Sequence, residues 1–194
     1  HGSICEINGQ WYIFYHRMTN GTIMSRRACV ERINILPDGT IPQVEMTSLG
    51  FEEALNPYEI VPADIACVLK GGCMVTDQDP FTRMITNIRT GAVIGYKYFD
   101  FGEDYTTWNM TFTVQVRGAG CASSIHILLD DDRNGKEIGC CEIDRHDGVY
   151  QAPVEKVTGR HAVYFVVKHN YEGWFKDCFD QRNLFDMLSF VFVK

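Results

Sequence analysis

The first sixteen residues constrain the fold most. His1-Gly2-Ser3-Ile4-Cys5-Glu6-Ile7, then Asn8-Gly9, then Gln10-Trp11-Tyr12-Ile13-Phe14-Tyr15-His16 reads as strand, Asn-Gly turn, strand. Asn-Gly suits a two-residue hairpin because both central residues must adopt positive φ. The second strand is apolar along most of its length, and an isolated hairpin of this kind is not stable in water. It must therefore belong to a larger sheet. No initiator Met and no leader precede it, so earlier strands of that sheet are expected upstream of residue 1.

The rest of the chain carries the same β signal. Thr111-Phe112-Thr113-Val114-Gln115-Val116 alternates with period two and places Phe112, Val114 and Val116 on one face. Ser124 to Leu129, Ala162 to Lys168 and Leu188 to Val193 are further short runs of apolar and β-branched residues. Tyr96, Tyr98, Phe99 and Phe101 form an aromatic stripe that reads as core on one sheet face and surface on the other. Pro37-Asp38-Gly39, Thr90-Gly91, Asn134-Gly135, Asp147-Gly148 and Thr158-Gly159 mark turns between the runs. Only Phe51 to Leu55 could form a helical turn. Strands at this spacing imply an all-β chain, a sandwich or a propeller. Asn56-Pro57-Tyr58 is a natural linker, because a residue before proline resists helix. The chain is accordingly divided into a β remnant, 1–55, and a sandwich, 56–194, the latter within the usual domain range.

Composition narrows the partners. With 45% hydrophobic residues the 194-residue chain can bury a proper core. Its net charge of -7 argues against nucleic acid or an anionic membrane as the main partner. No apolar run approaches the roughly 20 residues of a membrane span. The eight cysteines contain no C-x-x-C pair, which excludes a zinc ribbon and a thioredoxin-type motif. Disulfides and buried free thiols both remain open. Asp130-x-Asp132-x-Asn134-Gly135 imitates half of an EF-hand loop, but the position of the bidentate glutamate is Cys141. A hairpin turn explains that run better.

Two stretches resemble known families. His1-Gly2-Ser3, Asn8 to His16, Ser25-Arg26-Arg27-Ala28-Cys29-Val30-Glu31 and Leu36-Pro37-Asp38-Gly39-Thr40-Ile41 resemble the last blade of the glycoside hydrolase family 43 propeller. Asn56-Pro57-Tyr58, Pro62-Ala63-Asp64, Thr86-Asn87-Ile88, Gly91, Tyr96, Phe99-Asp100-Phe101-Gly102, His161 to Val166 and Leu184-Phe185-Asp186 resemble the family 6 carbohydrate-binding module. The resemblance implies a five-bladed propeller that hydrolyses xylosidic or arabinosidic linkages with inversion, followed by a jelly roll that holds the polysaccharide. Inversion needs two carboxyl groups roughly 6.5–9.5 Å apart. In the family they sit on earlier blades, and Glu6, Glu31 and Asp38 match none of them. These residues alone should be catalytically inert.

The same resemblance suggests sites. His1 matches a histidine that faces the propeller channel and helps hold an ion or water cluster; the alternative is a frayed terminal residue. His16 and Arg17 could reach the substrate pocket of a complete propeller or lie on the surface. Sugar binding needs aromatic faces against the C–H faces of a pyranose and side chains that hydrogen-bond its hydroxyls. The module's first aromatic position is here Asn87, and its tryptophan loop is Arg145 to Tyr150, where only Tyr150 could stack. Its asparagine is Asp186, which can still accept hydroxyl hydrogen bonds. Trp174, in a polar and aromatic loop, is a further platform; Trp108 reads as edge packing. The module's calcium triplet is reduced to Pro62-Ala63-Asp64 and its late aspartate is Leu188. Calcium takes six to eight oxygens, so calcium binding there is expected to be lost, and calcium remains a candidate only for the parent propeller.

The expected function is binding of a plant cell-wall polysaccharide, xylan or arabinoxylan, by a monomeric, secreted protein with no nucleic-acid or membrane partner. The competing reading is a structural brace whose sugar affinity is lost.

Overall fold

The computed structural model describes residues 2–103 and 109–194. His1 and Trp108, both singled out above, lie outside the described residues. Strands β1 (Ser3–Ile7), β2 (Gln10–Met18) and β3 (Arg26–Ile33) form an antiparallel sheet in that order. Asn8 (φ 51°) and Gly9 (φ 82°) are both left-handed, as the turn chemistry requires. Glu31 on β3 is buried, and its carboxylate accepts from Thr47 N (2.8 Å), Thr47 Oγ1 (2.6 Å) and Tyr15 Oη (3.1 Å). Those three bonds offset the cost of burying it. Burial and the Glu31 charge together raise the Tyr15 phenol well above its ordinary pKa.

The helical turn expected at Phe51–Leu55 does not form. Leu55 instead bridges Phe99, its N–H donating to Tyr98 O (2.8 Å) and its carbonyl accepting from Asp100 N (3.0 Å). A single helical turn is costly to nucleate, whereas a strand edge offers ready-made partners. Phe51 packs edge-on against Tyr12, with ring centroids 5.3 Å apart.

The sandwich follows. Short strands β4 (Val61–Pro62), β5 (Val68–Lys70), β6 (Met74–Asp77) and β7 (Arg83–Thr86) precede the long ones. These are β8 (Val93–Asp100), β9 (Asn109–Gly118), β10 (Ser123–Leu129), β11 (Lys136–Ile143), β12 (Gly148–Glu155), β13 (Arg160–His169) and β14 (Phe185–Val193). One sheet has the order β11-β10-β13-β8-β5; the other has β12-β9-β14-β7-β6, with β4 beside β14. The runs read from sequence at 111–116, 124–129, 162–168 and 188–193 lie within β9, β10, β13 and β14. Phe112, Val114 and Val116 face the core. The EF-hand-like run is the β10–β11 hairpin loop, where Asp131 Oδ1 caps the turn by accepting from Arg133 N (2.8 Å) and Asn134 N (2.7 Å). A short helix, α1 (Lys176–Asp180), interrupts the β13–β14 connection.

The core is aromatic. Phe190 of one sheet meets Tyr96 (4.8 Å) and Phe165 (4.9 Å) of the other. Tyr96, Phe99 and Phe101 are fully buried, while Tyr98 faces outward to Glu45 (2.9 Å), so the stripe divides between core and surface, but strict alternation would have kept Tyr96 with Tyr98. A register shift between His161 and Val163 lets Tyr96 and Phe99, three residues apart, share the inner face. All eight cysteines are free; Cys67, Cys73, Cys121 and Cys141 are buried. Burial pushes the Cys73 thiol up to about 11 and the Cys141 thiol to about 12, which leaves both inert packing groups. Among the described residues no helix is long and apolar enough to cross a membrane.

Phe190→Ala removes the ring that both sheets share and should cost ~3–5 kcal/mol. Val149→Ala, at a site 61% exposed, should change stability by under ~0.5 kcal/mol. Denaturant unfolding of the two variants measures the contrast.

Candidate functional site

The connections 71–73, 87–92, 119–122, 144–147 and 170–184 all cross between the two sheets at one end of the sandwich. That end is set by register: Met74 pairs with Thr86, Ser123 with Ile143 and His169, and Gly148 with Val116. Asn87 and Trp174 lie in these connections, and Asp186 and Tyr150 lie on the strands that leave them.

Asn87 and Asp186 each anchor a polar cluster at this end, the two clusters meeting through the chain at residues 86–89. Asn87 is left-handed (φ 54°), a conformation asparagine tolerates better than most residues. Its Nδ2 donates to Gly72 O (2.7 Å) and its Oδ1 accepts from Arg89 Nε (3.1 Å). Arg89 Nη1 donates in turn to Gln181 Oε1 (3.0 Å). Asp186 Oδ1 accepts from Thr86 Oγ1 (2.6 Å) and Asn183 Nδ2 (2.8 Å), while Asn183 Oδ1 accepts from Ile88 N (2.8 Å). Among the described residues Asp186 Oδ2 has no protein donor. Flanking Phe185 and Met187 are fully buried, so Asp186 points away from the core. Arg117 lies opposite it on β9.

Tyr150 sits differently. It shares the inner side of β12 with buried Ala152 and Val154, and its ring packs on the core. Its hydroxyl donates to His146 O (2.8 Å). Two strand spacings, about 10 Å, separate β12 from β14, and Tyr150 and Asp186 occupy opposite faces of the sheet. The neighbouring loops press together: Gly118 N donates to Asp147 Oδ1 (2.8 Å). A Cβ at Gly118 would come within 2.5 Å of Arg145 O, so only glycine fits.

Trp174 is wholly exposed. Its loop is held from below. His169, 3% exposed at its side chain, contacts Asp180 Oδ1 through Nε2 (2.8 Å) and accepts from Tyr171 N through Nδ1 (3.2 Å). Tyr171 stacks on Phe179 (4.2 Å, 19°), and the Arg182 guanidinium covers the Phe179 ring at 5.0 Å. Sequence reasoning missed Thr86, Arg89, Gln181 and Asn183. Asn183 stands three residues before Asp186 and could have been flagged; the others depend on pairing across the sheet.

The residues that the resemblance assigns to calcium supply few side-chain oxygens. Asp64 is the one carboxylate of the set, and Arg83 Nη1 lies 3.7 Å from it. Pro62 and Leu188 supply no side-chain oxygen. In the first sheet, Arg17 Nη1 donates to Ala66 O (3.1 Å), fastening β2 to the sandwich. Glu31 is engaged as described, Asp38 Oδ1 caps a turn through Thr40 N (2.9 Å), and Glu6 is exposed on β1.

The fold is a two-sheet β-sandwich with its crossing connections gathered at one end, the architecture seen in solved family 6 carbohydrate-binding modules. The solved family 6 module from Clostridium cellulolyticum in complex with xylose superposes with a TM-score of 0.59 at 23% identity, covering 72% of this chain and all of the module. The family 43 arabinoxylan arabinofuranohydrolase from Bacillus subtilis, solved with cellotetraose, superposes over 100% of this chain and 40% of that protein, with a TM-score of 0.65 at 22% identity. In sequence the chain is 36% identical over 192 residues to a xylosidase/arabinosidase of Thermoclostridium stercorarium, covering 87% of this chain and 39% of that protein. The chain thus spans about two fifths of the length of these two hydrolases. No protein-family model matches it. The comparisons bear out both resemblances read from the sequence, to a family 43 hydrolase and to the family 6 module.

The His169–Asp180 contact gives the loop a pH dependence. Hydrogen bonds from His169 and then Lys176 hold the Asp180 carboxyl below its ordinary value of 3.8. A folded-state pKa below the unfolded one means the clamp is complete above pH 3.8 and is lost as pH falls through the depressed value. Hydrogen-exchange protection of residues 170–182 should therefore drop below that pH, and Asp180→Ala should show the lowered protection already at neutral pH.

Proposed function

We propose that this chain is the polysaccharide-holding part of a family 43-type hydrolase and that it binds xylan or arabinoxylan. The supporting observation is Asp186, held through Oδ1 by Thr86 and Asn183 with no protein donor to Oδ2 among the described residues, at the loop-rich end of the sandwich. A sugar hydroxyl donating to Oδ2 would gain a charge-assisted hydrogen bond of about 1.5–3 kcal/mol. Trp174 presents an unobstructed ring on a loop at the same end, suited to the C–H face of a pyranose. Tyr150 contributes its ring edge and holds the 146–148 turn.

In this reading strands β1–β3 are a blade of a propeller, and the catalytic acid and base lie on other segments of a longer, inverting enzyme. A tethered module raises the local substrate concentration even when each contact is weak. Any ion held by His1 would belong to that propeller's channel. The protein is placed outside the cell, since its polymeric substrate cannot enter, and it acts as a monomer.

The inward ring of Tyr150 favours a second reading, in which the sandwich only braces the small sheet. Calorimetric titration with xylo-oligosaccharides separates the two. Under the binding reading, Asp186→Ala and Trp174→Ala each weaken affinity about tenfold or more, equivalent to ~1.4 kcal/mol. Tyr150→Ala has a smaller effect, and Phe81→Ala, at the opposite end, none. No heat with any xylo-oligosaccharide or with soluble xylan supports the brace.

A further inference from the structure

The outer face of the first sandwich sheet gathers three metal-ligating side chains that the sugar site does not use. His126 on β10 and Cys140 on β11 are direct cross-strand partners. Directly opposed residues share a face, with Cβ atoms about 4.5–5.5 Å apart. Ile125 and Ile127, on either side of His126, are fully buried, so the pair projects from the solvent side. A register shift between Ile127 and Leu128 places Gly139 opposite Ile127 and Glu137 opposite Leu128. That bulge turns Ile138 into the core and Glu137 out beside His126. Gly139 is required there, because a Cβ would meet Val154 Cγ1 at 2.6 Å.

His126 Nδ1 lies 2.9 Å from Glu137 Oε1, and one donor atom from each of His126, Glu137 and Cys140 falls within 4.8 Å of the others. Glu142 Oε1 is 3.9 Å from Cys140 Sγ. Ligands 2.0–2.3 Å from a tetrahedral zinc ion stand roughly 3.3–3.8 Å apart. The donor atoms already stand within about an ångström of that spacing. Imidazole, thiolate and carboxylate together select a borderline-soft ion over calcium or magnesium, which require oxygen donors. Burial, then the Glu142 and Glu137 charges, raise the Cys140 thiol. A divalent cation at this point reverses that potential.

We propose that His126, Glu137 and Cys140 form a zinc site on the outer face of the sandwich, with Glu142 or water as the fourth ligand. Binding exchanges the thiol proton for a zinc–sulfur bond, so one proton leaves as one ion enters. The ion ties edge strand β11 to β10, and it does so independently of the sugar site.

The test uses the whole chain, metal-free and with its thiols reduced. Zinc titration by calorimetry should give one ion per chain, and cobalt should give a thiolate-to-metal charge-transfer band. Cys140→Ser should abolish the band. His126→Ala and Glu137→Gln should weaken zinc binding tenfold or more without lowering the metal-free melting temperature. The double variant Cys5→Ser, Cys178→Ser, which removes the exposed thiols elsewhere, should keep the band. Should Cys140→Ser fail to fold, the other two ligand variants carry the same test. A wild-type chain without a stoichiometric thiolate band overturns the site, as does unchanged affinity in His126→Ala and Glu137→Gln.

Discussion

The contact of Phe190 with Tyr96 and Phe165 is the constraint from which the rest of the sandwich follows. Two facing sheets pack about 10 Å apart, and rings of this size fill that gap from both sides. Phe190 can occupy it only in one register of β14. A shift of one residue along β14 would exchange its inner and outer faces, turning Asp186 into the core and Phe185 out to solvent. The orientation of the candidate site is therefore a consequence of core packing. Tyr96, wholly buried, keeps its hydroxyl satisfied by donating to Ala63 O (2.9 Å), which also fixes the 3-10 turn Ala63–Ile65 beneath the sheet.

The second constraint is the treatment of strand edges. β5 pairs with Val93 to Gly95 only, so the remainder of β8 would present unpaired backbone groups. Ser48 N donates to Lys97 O (2.8 Å), and Leu55 covers Tyr98 and Asp100. At the other side Val75 N donates to Thr19 O (2.8 Å). Irregular backbone thus serves as edge protection, which exposed strands need if they are not to pair with other chains. The same segment is pinned to β3 by Glu31 and to β8 by the Lys97–Glu45 pair (2.7 Å). The small sheet and the sandwich are joined through hydrogen bonds that either would leave unmade alone.

These two constraints explain what was legible in the sequence. Period-two runs such as Thr111 to Val116 report a half-buried strand directly, because alternation is local. Asn8-Gly9 and Asn134-Gly135 report hairpins for the same reason. The Asp186 network is different in kind: Thr86 and Asp186 are 100 residues apart and meet only through pairing of β7 with β14. Family resemblance pointed to Asp186 and Asn87 as positions, yet not to the hydroxyl and amide that occupy Oδ1. The inward turn of Tyr150 follows from β12 parity, which its neighbours Ala152 and Val154 encode weakly beside exposed Val149 and Pro153. Helix α1 carries no apolar stripe; it is held by Asp180 on His169 and Lys176 and by Phe179 stacked on Tyr171. The bulge at Gly139 left one trace in sequence, a lone glycine inside a strand pattern.

The chemistry left at Asp186 also limits what the proposed site can accept. An asparagine in that position both donates and accepts, whereas a carboxylate only accepts. With Oδ1 saturated by Thr86 and Asn183, Oδ2 demands a donor from the ligand, and a neutral sugar hydroxyl supplies one. A uronic acid carboxylate offers no such donor and would repel it, unless Arg117 on the adjacent strand swings across to compensate. The exchange of amide for carboxylate thus narrows the proposed ligand toward neutral stretches of polysaccharide. Thr86 and Asn183 meanwhile fix the carboxylate through Oδ1 and leave Oδ2 directed to the ligand.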